Sequence, residues 1–265
     1  MSALDDFLGS IEFEGTLACD GNVQRYGRKG NRWVWSLAKG DDVFAVAGDW
    51  STGEKVHFGK RTLGIQQELR RVSGERAEKA EDAARHARSK WEFLADKPVG
   101  RTYLERKGVV NYGCRFDGVR LYVPMRRGGE IVGLQMIAPD GMKRFTPGCS
   151  KRGASHRINA APGVTGAVLC EGYATGASIR MATGRPVIVA FDCGNLQHVA
   201  GWHQDIAAVA ADNDLTPGNP GLSAAQAVAA QLQVPVIVPP PGEDFNDVHQ
   251  RVGLARVHYA IEDRL

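Results

Sequence analysis

Five carboxylates follow three apolar runs. Glu171 comes directly after Ala167 to Cys170, Asp212 and Asp214 come after Ile206 to Ala211, and Asp244 and Asp247 lie a few residues beyond Val234 to Val238. If the runs are neighbouring strands of a parallel sheet, these acids converge beyond the carboxyl ends of the strands, where α/β sheets bind ligands. Such a cluster repels itself unless cations occupy it. Hard oxygen ligands suit Mg²⁺ or Mn²⁺, ions that hold phosphates while keeping several waters. Phosphoryl transfer is the chemistry this implies. Asp is also frequent in turns and helix caps after strands, and for Asp212, Asp214 and Asp244 that alternative stays open.

The elements that must position these acids can be read from the pattern of the chain. The runs at 167–170, 187–191, 206–211 and 234–238 lack alternation, so each predicts a strand apolar on both faces. Helix-compatible stretches at 175–182 and 221–231 separate them. Alternating β and α elements predict an α/β domain, a parallel sheet flanked by helices, over residues 161–265. Ahead of it, residues 98–160 predict a basic, mixed α+β subdomain. It has a short helix at 102–106, strands at 120–124 and 131–137, and a turn at Asp140 and Gly141 leading into the basic segment Lys143 to Arg157. Residues 63–97 predict a charged helical linker, with Ala77, Ala80, Ala84, Ala87, Trp91 and Leu94 recurring every three or four positions. Residues 1–62 predict a small β-rich module with a hairpin at 33–47.

Charge divides along the chain. Residues 1–160 hold 28 Lys and Arg against 20 Asp and Glu, whereas residues 161–265 hold 5 against 10. A basic half attracts a polyanion and an acidic half attracts divalent cations, although an uneven scatter of solubilising charge gives the same count. The five cysteines, at 19, 114, 149, 170 and 193, are never closer than 21 residues. Neither a disulfide framework nor a zinc knuckle is expected. No apolar run is long enough to span a membrane, and the first ten residues lack the basic and apolar stretches of a signal peptide, so a cytoplasmic protein without a membrane partner is expected.

A strand ending in Glu171-Gly172, followed by one ending in Asp212-x-Asp214, resembles the Toprim domain, the catalytic fold shared by DnaG-type primases, topoisomerases and some nucleases. The wider segments LCEGYATGASI, VIVAFDCGNL, AADND and DFNDVH resemble the Toprim part of phage and plasmid primases. Upstream, YLERKGV, RLYVPMRRGGEIVGLQMIAPDGMKRF and SKRG are similar to the basic subdomain of those primases, and GDWSTGE is similar to their N-terminal module. The resemblance implies a DNA primase that makes short RNA primers on single-stranded DNA from ribonucleoside triphosphates. Glu171 would act as acid or base near the reacting hydroxyl, and Asp212 and Asp214 would bind metal. Asp244 and Asp247 would complete the cation site or position the triphosphate. Lys143, Arg144, Lys151 and Arg152 would face template and nucleotides, with Asp192 and Asn195 turned to the same site. A solvated basic loop is the alternative for the four cations, and a turn is the alternative for Asp192.

The sequence departs from the bacterial enzymes in two places, the template-reading module and the basic subdomain. No zinc ribbon can be found. Template reading by residues 1–62 would therefore use Arg25, Arg28, Lys29 and Arg32 with Tyr26, Trp33, Trp35 and Trp50, although Trp33 and Trp35 also fit a hairpin core. The glycine and arginine run of the bacterial basic subdomain is replaced by GLQMI. No GxxxxGK[ST] motif occurs, so a replicative helicase is expected to act in trans. Two other classes keep the same acids, a Toprim nuclease or strand-processing enzyme and a non-catalytic single-stranded nucleic-acid-binding factor.

Overall fold

The structure is a computed structural model that describes residues 2–27, 30–49 and 53–265. Arg28, Lys29 and Trp50, expected as template contacts, lie outside the described residues. The chain divides into two compact units, residues 1–78 and 79–265.

The first unit begins with α1 (Ala3–Ser10), capped by Ser2 in a reciprocal capping box with Asp5. An antiparallel sheet follows, in the order β1 (Asp20–Tyr26), β2 (Arg32–Lys39), β3 (Asp42–Asp49) and β4 (Lys55–Phe58). The β2–β3 hairpin pairs Lys39 with Asp42 across Gly40 and Asp41, the segment expected to turn. Alternation along β2 sends Leu37 to one face, where Phe44, Ile65 and Val72 pack with Trp35. Val34 goes to the other face, with Ala45 and Ala47. Trp35 is thus core, edge-on to Phe44 at 6.3 Å.

The long helix α2 (Leu63–Glu92) carries the alanine seam. Within the second unit Ala87, Trp91 and Leu94 pack on Tyr122, Ile131 and Leu134, so the C-terminal part of the seam is covered by the chain's own sheet, whereas Ala77 is exposed. Next come α3 (Tyr103–Lys107) and a second antiparallel sheet in the order β5 (Arg115–Asp117), β6 (Arg120–Arg127), β7 (Glu130–Ile137) and β8 (Lys143–Phe145). The third sheet follows β9 (His156–Ile158), β10 (Ala167–Cys170), α4 (Tyr173–Thr183), β11 (Val187–Val189), α5 (Cys193–Ala200), β12 (Ile206–Ala210), α6 (Pro220–Leu232), β13 (Val236–Ile237), α7 (Phe245–Val252) and α8 (Leu254–Glu262). Its order is β13-β12-β10-β11-β9, parallel except for the edge strand β9.

This is the expected parallel sheet between helices. Val168, Cys170, Val187, Val189, Ala208 and Ala210 face α4, α7 and α8, while Leu169, Ile188, Ala190, Val209 and Ala211 face α5 and α6. Each large aliphatic side chain buried in this way contributes roughly 1.5–3 kcal/mol. Gly176 on α4 lets the helix approach closely, because a Cβ there would lie 3.0–3.2 Å from Val189, Val187 and Cys170. Among the described residues, no helix is long and apolar enough to cross a membrane.

Candidate active site

From β10 the chain steps first to β11 on one side and then to β12 on the other, so the strand order reverses between β10 and β12. The crevice beyond that reversal is where such sheets bind ligands. Glu171 sits at the end of β10, and Asp212 and Asp214 sit at the end of β12. Asp244 reaches the same end as the N-cap of α7, after the short β13.

Glu171 and Asp212 are electrostatically the most strained members. Oε1 of Glu171 and Oδ1 of Asp212 are buried without a hydrogen-bond partner. Burial, then the charges of Asp212, Asp192 and Asp214, push the Glu171 carboxyl up to about 8, and Lys143 opposes this. Burial, then Asp244 and Asp214, push Asp212 up to about 7, again against Lys143. Desolvation and like-charge repulsion both favour the protonated acid. The sites couple, which means the six acids that include Asp192 and Asp247 share one electrostatic environment. Lys143, at the start of β8 in the preceding sheet, belongs to it too.

The supporting residues are visible only in three dimensions. Gly221, at the start of α6, gives the acids room, since a Cβ there would lie 2.8 Å from Glu171 Oε1 and 3.1 Å from the Asp212 carbonyl oxygen. Asn213, between the two aspartates, donates to the Pro239 carbonyl at 2.8 Å and accepts from Asn219 at 2.8 Å, locking the loops after β12 and β13 together. Asn213 and Asn219 carried no distinctive spacing in the sequence. Asp244 accepts from the Asn246 and Asp247 amides through Oδ1, and the Asp244 amide in turn donates to Asp247 Oδ2. The capping alternative is therefore realised at Asp244, which at the same time acts on Asp212. Asp247 also pairs with Lys107 at 3.5 Å.

The basic segment reaches the acids through lysines. Lys143 and Arg144 alternate on β8, and Lys143 is the one whose charge acts on Glu171 and Asp212. Lys151 binds Asp192 at 2.5 Å and lies 4.7 Å over the Phe145 ring. Asp192 is the N-cap of α5, where a turn was one reading, and accepts from the Asn195 amide at 3.0 Å. Phe191 before it adopts φ 75°, a costly value for a bulky side chain, while its amide donates to the Glu171 carbonyl at 2.8 Å. Arg144 and Arg152 are exposed.

Asn195, expected to turn toward the nucleotide, is instead buried. Its Oδ1 accepts from the Gly153 amide at 2.8 Å, and its Nδ2 donates to the Ala154 and Ala190 carbonyls at 2.9 and 2.8 Å. It ties the loop that carries Lys151 to the end of β11. Asn195→Ala strands three buried backbone groups, so chemical denaturation should show a loss of about 2–4 kcal/mol. A loss under about 0.5 kcal/mol would mean that the tie is not made.

The donor set suits a hard cation. Carboxylate oxygens dominate, two of them are buried without partners, and their mutual repulsion is what a cation would relieve. Among the described residues, no three His, Cys, Asp or Glu side chains form a ready-made cage. Mg²⁺ sites usually combine one or two carboxylates with waters and substrate phosphates rather than a protein cage.

Residues 166–255 match the Toprim domain family, and with the carboxylates at the strand ends this part of the chain is a Toprim domain. Over 158 residues the chain is 34% identical to a DNA primase TraC of Escherichia coli, covering 52% of this chain and 11% of that protein. A second Escherichia coli DNA primase TraC is 35% identical over 161 residues, covering 54% of this chain and 15% of the relative. The match thus spans only 11 to 15% of the length of these relatives. A solved structure of the DnaG catalytic core aligns over 70% of this chain and 80% of that one, with a TM-score of 0.49 and 13% identity.

Proposed function

We propose that this chain is the catalytic part of a DNA primase, joining ribonucleotides on a single-stranded DNA template. The observation that carries the reading is the pair of buried, unpartnered carboxylate oxygens of Glu171 and Asp212 at the sheet's switch point, within electrostatic reach of Lys143. The similarity to DNA primases TraC supports the reading. Asp212 and Asp214, with Asp244 and Asp247 beside them, would hold Mg²⁺ or Mn²⁺. A cation there would neutralise the triphosphate and make the primer 3′-hydroxyl easier to deprotonate. Glu171 accepts that proton. Lys143 and Lys151 bind nucleotide phosphates, Asp192 holds Lys151 ready, and Arg144 and Arg152 bind the template backbone. Asn195 acts through the loop rather than by contact. Residues 98–160 serve as the basic subdomain, residues 161–265 as the catalytic domain, residues 63–97 as the linker and residues 1–62 as an accessory module. A replicative helicase would act in trans.

The test is primer synthesis on mixed-sequence single-stranded DNA with labelled ribonucleotides and Mg²⁺ or Mn²⁺, comparing the wild type with Asp212→Asn. Short RNA products that fall by at least about 10²-fold in the variant are expected. Degraded template without products would replace the reading with a nuclease. Template binding without either activity would replace it with a binding factor.

A further inference from the structure

Trp202 follows Gly201, the C-cap of α5, and is 62% exposed. Its amide donates to the Val199 carbonyl at 2.9 Å, which fixes the backbone. The pyrrole edge of the indole rests on Gly153, where a Cβ would lie 2.8 Å from Nε1 and 3.4 Å from Cδ1. Gly153 has φ +70°, so the position resists a side chain on both counts. Asn195 holds the same glycine from within. The result is a large aromatic side chain braced against a fixed loop, with most of its surface in water.

That loop is densely cationic. It carries Lys151 and Arg152, and it is anchored to the end of β6. There the Arg126 and Ser155 backbones exchange two 2.8 Å hydrogen bonds, and Arg127 donates to the Ser150 carbonyl at 3.3 Å. Nε of Arg127 is buried without a partner. The nearby acids are already neutralised, Asp192 by Lys151 and Asp205 by Arg157. Arg152 is exposed and makes no ion pair among the described residues. An exposed aromatic surface beside cations without counter-ions matches the two parts of a nucleotide, a flat base and an anionic phosphate. Stacking on an isolated indole needs a base without a pairing partner, which selects a single strand over a duplex.

We propose that Trp202 is a stacking platform for one unpaired base of single-stranded nucleic acid, with Arg127 and Arg152 contacting the flanking phosphates. The proposal rests on the reading of the chain as acting on single-stranded DNA, and it adds the place where the strand is held beside the catalytic crevice. Asp192 makes the connection, since it takes Lys151 from this loop and acts electrostatically on Glu171.

The experiment measures binding of the full chain to a fluorescently labelled single-stranded oligonucleotide by anisotropy, without nucleotides. The variants are Trp202→Ala and Trp202→Phe. Because the side chain is exposed, both should keep the wild-type circular dichroism spectrum and melting temperature. The Ala variant should bind roughly five- to fifty-fold more weakly, the Phe variant within about threefold of wild type, and a duplex of equal length should show no difference. An oligonucleotide of abasic residues should bind wild type and Ala variant alike. Equal affinity of wild type and Ala variant for the normal single strand would overturn the platform and leave the primase reading intact. A wild-type chain that binds no single strand at all would overturn both. An equal loss in the Ala and Phe variants, or a loss that persists on the abasic strand, would make Trp202 a structural support for the loop and not a stacking surface.

Discussion

Glu171→Gln should move activity and stability in opposite directions. Primer synthesis should fall by about 10²- to 10⁴-fold, since the amide keeps the shape of the side chain but cannot accept a proton. The metal-free protein should meanwhile become more stable at pH 8. Burial and the neighbouring aspartates hold the Glu171 carboxyl near 8, far above its ordinary range, so keeping it ionised in the folded state is unfavourable. Removing that charge should gain about 2 kcal/mol, allowing for the partial exposure of the group, and raise the melting temperature by roughly 4–8 °C. Scanning calorimetry in the presence of a chelator, alongside the synthesis assay, reads both effects. A variant that is inactive and also less stable would show that Glu171 is held by contacts the structure does not contain.

The strands that carry Glu171, Asp212 and Asp214 were legible in the sequence because doubly buried strands are short and continuously apolar. Their supports and some of the packing around them were not, for physical reasons that differ from case to case. FDCGNL combines turn-forming residues, yet Asp192 caps a helix and Asn195 is buried within it, because the tertiary position of Gly153 supplies a donor that no local pattern reveals. Asp244 and Asp247 have capping-box spacing, and the sequence alone does not tell whether a carboxylate caps, binds a cation or does both. The last strand was expected over 234–238, but only Val236–Ile237 pairs. Pro235 has no amide to donate, and the Val234 amide instead donates to the Ala229 carbonyl of α6. The alanine seam predicted a helix but not the partner of its C-terminal part, which is the β6–β7 sheet.

The basic and acidic portions of the sequence act on each other through few residues. Lys143 tempers the charge of Glu171 and Asp212, and Lys151 neutralises Asp192. Both lysines come from segments that precede the parallel sheet in the chain. Within residues 79–265, cations that precede the parallel sheet in the chain thus act directly on the acids at its strand ends. Substituting either lysine changes the field at the acids as well as any contact with a polyanion.

The same field gives the metal-free protein an unusual dependence on pH. Glu171 and Asp212 titrate in the ordinary carboxylate range when unfolded, and near 8 and 7 when folded. Between those ranges these two groups bind more protons in the folded state than in the unfolded state, so their contribution to stability is greatest at low pH and is lost as pH rises through the folded values. Histidines oppose this at acidic pH. Burial lowers His156 to about 4, and it also lowers His203 and His249, so folding becomes more favourable as the unfolded histidines lose their protons. Above pH 8 the buried thiols of Cys114 and Cys170 add a loss of their own. The carboxylates therefore dominate from about pH 6.5 to 8, where chelated protein should lose about 2 kcal/mol, most of it from Glu171. Saturating Mn²⁺ or Mg²⁺ should flatten the slope, because a cation bound only by the folded state stabilises it by mass action and favours the ionised acids. Denaturant unfolding at several pH values, with and without the ion, measures this directly. A slope that is mostly lost in Glu171→Gln and suppressed by the ion in wild type would place cation and carboxylates in one site. A slope that the ion leaves unchanged would place the cation elsewhere.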